Sequence, residues 1–248
     1  MIFVLGFFIA AAIGLTGVGA GVVTTPILIL FLHLPPTQAV GTALIFASVV
    51  KLLILPLYLK RGQVHFPTLF RLLIGGLPGV ALGSLLLSKA NTPQGRQILF
   101  GVLGVTIVAG AVMNLIKSSR NENSAPRKDR SNWLPFLTFP IGAEVGFSSA
   151  GAGALGSLAL LGLTPLSPAA VVGTDLFFGL GIALFGGSVQ LFGGNYDSAL
   201  LWRLIIGGAF GAFAGATLSA SIPKRPMRAV LSIWLVVLGI QLFWQSVR

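Results

Sequence analysis

The chain is written twice. Gly14-Leu-Thr-Gly-Val-Gly-Ala-Gly21 returns in altered form as Gly146-Phe-Ser-Ser-Ala-Gly-Ala-Gly153. Laying residues 14–109 on 146–241 without a gap gives 28 identities in 96 positions. They cluster at Gly19/Gly151, Gly21/Gly153, Val40-Gly41-Thr42/Val172-Gly173-Thr174, Gly62/Gly194, Arg71/Arg203, Gly75-Gly76/Gly207-Gly208, Gly83/Gly215 and Arg96/Arg228. Whatever one copy builds, the other must build too, and the two must pack together. Both copies are apolar, and in both the apolar run is broken by glycine. That combination marks secondary transporters, whose site lies where the repeats meet.

Composition excludes most other classes. The chain of 248 residues is 55% hydrophobic and 8% charged, whereas a soluble domain carries roughly 25% charged residues. An all-α integral membrane protein follows. The net charge of +11 does not point to nucleic acid, because the basic residues flank apolar runs. There they set orientation and meet anionic lipid. With no cysteine there is no disulfide, zinc–thiolate site or cysteine nucleophile. Residues 2–13 read as the start of the first membrane element rather than as a cleaved leader.

Eight apolar segments can be marked, at about 2–32, 37–59, 67–88, 96–116, 133–163, 168–192, 198–220 and 226–246. Four fall in a first membrane repeat (1–116) and four in a second (133–248). Residues 117–132, rich in Ser, Asn, Lys and Arg, form a cytoplasmic linker. Segments one and five are too long for a simple crossing, which needs about 20 residues, and each is cut near its middle by the glycine stretch. Each is either a long kinked helix or a re-entrant hairpin of two half-helices. Exposed backbone at such a turn is tolerated only where it lines a cavity or is buried in protein.

The basic residues bear on that choice. If every segment crosses once, the repeats are parallel and the Lys and Arg outside the apolar runs divide 10 against 5. If segments one and five are hairpins, the repeats are inverted and the division is 11 against 4. The gain is small under the positive-inside rule. The placement tells more: repeat one has Lys60 and Arg61 in a loop where repeat two has Gly193-Gly194-Asn195, and repeat two has Lys224, Arg225 and Arg228 in the next loop. This swap favours inverted repeats. Both arrangements put the linker in the cytoplasm, and the protein is read as multi-pass in the inner membrane.

The candidate substrate site is the pair of glycine tips. Gly19 and Gly21, with Thr16, Thr24 and Thr25, answer to Gly151 and Gly153, with Ser148, Ser149 and Ser157. Each tip precedes a half-helix, whose start offers unpaired N–H groups and partial positive charge to an anion. Thr42 and Thr174 complete the set. Three charges fall inside apolar segments: Lys51, Glu144 and Asp175. A charge near the bilayer centre costs about 2.5–3.5 kcal/mol on insertion scales, so a role is expected of each. Lys51 is read as counter-ion to the anion, and Asp175 and Glu144 as proton-coupling groups. The bland alternative is an internal ion pair, or snorkelling of Lys51. Arg71 and Arg203 read as interfacial anchors, and Gly75, Gly76, Gly79 and Gly83 as helix-packing residues. No metal or cofactor site and no catalytic set is expected, so the protein is not read as an enzyme.

Several motifs together resemble the TauE/SafE family of sulfite-exporter-like membrane proteins. They are Gly14-x-x-Gly-x-Gly-x-Gly21 leading to Pro26, Leu34-Pro35-Pro36 followed by Ala39-Val40-Gly41-Thr42, Lys60-Arg61-Gly62, Arg71 and the second-copy echoes. The resemblance covers almost the whole chain. It implies export of sulfite, a sulfonate or a related organosulfur anion. The expected partners are a small anionic substrate and membrane lipid, with no nucleic acid; a homo-oligomer is compatible with the sequence. The alternative is a channel-like or accessory membrane protein without coupled transport.

Overall fold

The computed structural model describes residues 1–16, 20–60, 62–89, 92–119, 129–150, 152–218, 236–237, 239–241 and 243–244. Gly19, Gly151, the middle of the linker, the 221–228 loop and most of the eighth apolar segment lie outside the described residues. The chain forms α1 (Ile2–Thr16), α2 (Ala20–Leu30), α3 (Pro36–Lys60), α4 (Phe66–Lys89) and α5 (Pro93–Ser119). After a 3-10 turn at Ser131–Trp133 come α6 (Leu134–Ser148), α7 (Ala152–Leu163), α8 (Pro168–Phe192) and α9 (Ser198–Leu218). No strand occurs among the described residues. Among the described residues, four helices are long and apolar enough to cross a membrane: Pro36–Lys60, Phe66–Ser88, Ala169–Phe192 and Ser198–Leu218.

The two long segments break where the glycines stand, giving α1 and α2, then α6 and α7. Ser149 ends α6 in the left-handed conformation (φ 61°), its N–H donating to the Val145 carbonyl at 2.7 Å. Segment four is longer than its apolar run suggested. α5 continues through Lys117 to Ser119, since Lys carries no helix penalty of note and nothing in that stretch breaks the backbone pattern. Helices α3 and α8 end alike. Gly62 (φ 61°) and Gly194 (φ 68°) take the left-handed turn that glycine alone adopts without strain. Gln63 N–H then reaches the Tyr58 carbonyl at 3.3 Å, and Asn195 N–H the Gln190 carbonyl at 3.0 Å. These are Schellman caps, which satisfy carbonyls that a helix end would leave bare.

Backbone contacts fix the directions of the helices. On α9, Gly207, Gly211 and Gly215 press on the carbonyls of Phe3, Phe7 and Ala11 of α1. Positions rise together, so α1 and α9 run the same way. On α4, Gly75, Gly79 and Gly83 press in the same manner on Pro135, Phe139 and Ala143 of α6. In the ungapped alignment of the two copies, Phe3, Phe7 and Ala11 fall on Pro135, Phe139 and Ala143, just as Gly75, Gly79 and Gly83 fall on Gly207, Gly211 and Gly215. One set of contacts is thus made twice. A β-carbon on any of these glycines would fall on a carbonyl oxygen, so they serve close helix approach, as small residues do between membrane helices.

Helices α3 and α8 run in opposite directions, because Gly41 abuts Asn195, Gly186 meets Leu44 and Gly173 abuts Gln63. Helix α4 runs with α8: Leu73 lies against Gly181, and Val80 against Gly186. Since α6 follows α4, α6 and α8 point the same way. The short α7 between them must therefore return to the side where α6 began, and it does: Arg130 N–H, just before α6, donates to the Leu163 carbonyl at the end of α7 at 2.8 Å. The same reasoning makes α1 and α2 a hairpin, because α1, α9 and α3 share one direction. The start of α9 is held to the start of α3 by Asp197 N–H on Thr42 Oγ1 at 3.1 Å. The core mirrors itself too, with Phe178 over Gly76 and Phe46 over Gly208. Both phenylalanines are fully buried.

Candidate functional site

The hairpins point at each other. Gly21, at the start of α2, lies against the backbone of Ser149 so closely that a β-carbon would land on the Ser149 carbonyl oxygen. Thr25 Oγ1 and Ser149 Oγ share a short hydrogen bond. Thr24, Thr25 and Ser148 are wholly buried, and Ser149 and Ser157 nearly so. The tip of the second hairpin is knitted further: Ser148 Oγ donates to Glu144 Oε1 at 2.5 Å and accepts from Ala150 N–H at 3.2 Å. Thr106 of α5 lies near Glu144, its own hydroxyl donating to the Val102 carbonyl at 2.5 Å. The other carboxyl oxygen of Glu144 is buried without a hydrogen-bond partner.

A second polar group adjoins on α7 and α8. Ser157 Oγ donates to Asp175 Oδ2 at 2.7 Å. Gly156 makes room for Oδ1, which a β-carbon would strike. Lys51 of α3, 6% exposed, feels the Asp175 charge. Lys60, Arg71, Arg130 and Arg203, by contrast, are exposed or half-buried. The arrangement thus places one cation, two acids and a run of hydroxyls within an apolar bundle.

The sequence-predicted residues separate into groups. Gly21, Thr25, Ser148 and Ser149 meet at the tips, with Thr24 beside Thr25 and Gly153 partly buried on α7. Lys51, Ser157 and Asp175 form the adjoining group. Thr16 closes α1, while Gly19 and Gly151 lie outside the described residues. Thr42 and Thr174 lie away from the tips. Thr42 Oγ1 holds Asp197 N–H at one end of the bundle, and Thr174 Oγ1 holds His65 N–H at 3.0 Å at the other. Sequence reasoning missed Thr106 and Gly156. Thr106 was visible as a polar residue in an apolar run, but nothing in the sequence gave its register against α6. Among the described residues no group of three His, Cys, Asp or Glu is placed to hold a metal ion.

Arg71, read as an anchor, has a defined task. Its guanidinium donates to Ser131 Oγ, and Ser131 N–H donates to Asp129 Oδ1 at 2.9 Å. The linker's end is thereby tied to α4. These hydrogen bonds from Ser131, and the nearby Arg71, hold the exposed Asp129 carboxyl below the usual carboxylate range.

A family model described as Sulfite exporter TauE/SafE matches residues 2–242. The chain belongs to the TauE/SafE family. As a member of it, the chain is a membrane transporter, and its apolar helices agree. Among similar proteins is "Probable membrane transporter protein YjnA" of Bacillus subtilis, 29% identical over 252 residues, covering 97% of this chain and 98% of that one. "Probable membrane transporter protein YdhB" of the same organism is 22% identical over 251 residues, covering 98% and 100%. A "Probable membrane transporter protein" of Haemophilus influenzae is 29% identical over 238 residues, covering 91% and 88%. TauE/SafE relatives therefore match this chain from end to end.

Proposed function

We propose that the chain is a secondary carrier of the inner membrane that exports a small sulfur-containing anion, such as sulfite or a sulfonate. Its two four-segment repeats are inverted, and each contributes one re-entrant hairpin. The anion binds where the hairpin tips meet. The observation that carries this reading is the contact of Gly21 and Thr25 with Ser149. Two hairpins entering from opposite sides bring two helix starts to one region, and helix starts favour anions. Glycine lets an anion approach backbone N–H groups. Hydroxyls of Thr24, Thr25, Ser148 and Ser149 suit the oxygens of a sulfur oxyanion, and Lys51 offsets its charge.

Inversion is supported by the glycine contacts that recur at equivalent positions of the two copies and by the opposed run of α3 and α8. "Sulfur" and "export" rest on the family description alone; the geometry supports "small anion". Asp175 and Glu144 are the acids suited to carry a proton. The test is thermal stability of the purified protein with sulfite, sulfate, thiosulfate, taurine and sulfoacetate. A saturable rise with sulfite or a sulfonate, lost in Lys51→Met, is expected. No shift with any of them at millimolar concentration contradicts the reading.

A further inference from the structure

The backbone contacts are paired between the two copies, but the buried charges are not. Lys51 corresponds to Ala183, Asp175 to Ala43 and Glu144 to Ala12. Lys51 and Asp175 are thus two lone buried charges, at 6% and 4% exposure, on the packed and opposed helices α3 and α8. The elements packed on α8 bring few other charges to them. Helix α7 supplies the Ser157 hydroxyl. Helix α6 carries Glu144, which accepts from Ser148. Helix α4 has Arg71 tied to Ser131 near its start and Lys89 at its far end, and Lys60 of α3 is exposed.

With Asp175 ionised, Lys51 is already neutralised. Adding an anion then sets two negative charges against one positive in a medium of low dielectric, which is costly. With Asp175 protonated, Ser157 still has an oxygen to bond, and Lys51 is left for the anion. We propose that the anion and a proton occupy this pair together, the anion on Lys51 and the proton on Asp175, and so cross the membrane in the same direction. This rests on the carrier reading above.

Coupling follows from charge. The empty pair sums to zero, and so does the pair loaded with a monovalent anion and a proton. Either half-loaded form has a net charge of one, which a bilayer-embedded element moves only at high cost. Only the empty and the fully loaded forms change sides. Transport of a monovalent anion is then electroneutral.

The experiment uses the full chain in proteoliposomes with a pH-sensitive dye inside. Ethanesulfonate is the probe, since it stays anionic at every working pH and carries no proton itself. An inward ethanesulfonate gradient at equal pH should acidify the lumen, one proton per anion, at a rate indifferent to a clamped membrane potential. Asp175→Asn should lose this net uptake yet still exchange external for internal ethanesulfonate, because its empty form stays charged and its loaded form does not. That exchange also shows that the variant is folded. Uptake without acidification, or net proton-linked uptake by Asp175→Asn, overturns the coupling and leaves the carrier reading standing. If wild type moves neither ethanesulfonate nor sulfite, the carrier reading falls and the coupling with it.

Discussion

At the scale of single residues, glycines separate into those that make room and those that do not. Gly21 is pressed on the Ser149 carbonyl, whereas Gly162 on α7 has open space around the position of a β-carbon. Gly21→Ala should therefore remove most transport and cost about 1–3 kcal/mol of overpacking. Gly162→Ala should leave transport intact and stabilise the helix by about 0.5–1 kcal/mol. Initial flux and thermal midpoint of the two variants, at matched membrane abundance, decide this. Equal loss from both would mean that the tip contact has no special role. Asp129 gives a contrasting case. Its carboxyl lies below the ordinary range, so the stability it contributes is present above the unfolded value and lost only as pH falls through the lowered one. Any pH dependence of transport between pH 5 and 8 should therefore persist in Asp129→Asn, as flux measured across that range will show. Such roles were unevenly legible in the sequence. The tip glycines and hydroxyls stood out because they recur in both copies. The work of Thr42 and Thr174 did not, because each caps a loop of the other half and that pairing exists only in three dimensions.

At the scale of elements, the hairpin is the unit that matters. Helices α1 and α6, of 15 residues each, rise about 22 Å, short of a ~30 Å hydrocarbon core. Their return arms α2 and α7 are shorter still, at 11 and 12 residues. None of the four crosses alone, yet together they bring buried hydroxyls to one place. The chain lacks cysteine, so Thr25→Cys with Ser149→Cys forms an isolated pair at the contact. The double variant should cross-link under mild oxidation, stop transport and recover on reduction. Failure to cross-link, with each single variant well inserted, would contradict the meeting of the tips. The glycine break in each long segment was plain in the sequence, but kink and hairpin were equally compatible with it. What decides between them is the direction of α6 relative to α8, and that is set by glycine-to-carbonyl contacts with α4 that no composition reveals.

At the scale of the whole molecule, the charge count barely distinguished parallel from inverted repeats, because most basic residues lie near the linker in either arrangement. The opposed run of α3 and α8 supports the proposed inverted arrangement. The Gly62 turn and the Gly194 turn sit at opposite ends of the bundle, since α3 and α8 are antiparallel. Lys60→Cys should thus react with an impermeant thiol reagent from the cytoplasm and Ser198→Cys from outside. Reaction of both from one side would return the parallel arrangement. The proposed frame, with halves facing opposite ways, suits alternating access, in which one site is offered to each side in turn. That is the central claim, and counterflow measures it most directly. Proteoliposomes loaded with unlabelled sulfite and diluted into a trace of labelled sulfite should accumulate label transiently above its outside concentration, with a rate that saturates. Label that only equilibrates, at a rate linear in concentration, would show a channel and contradict the account.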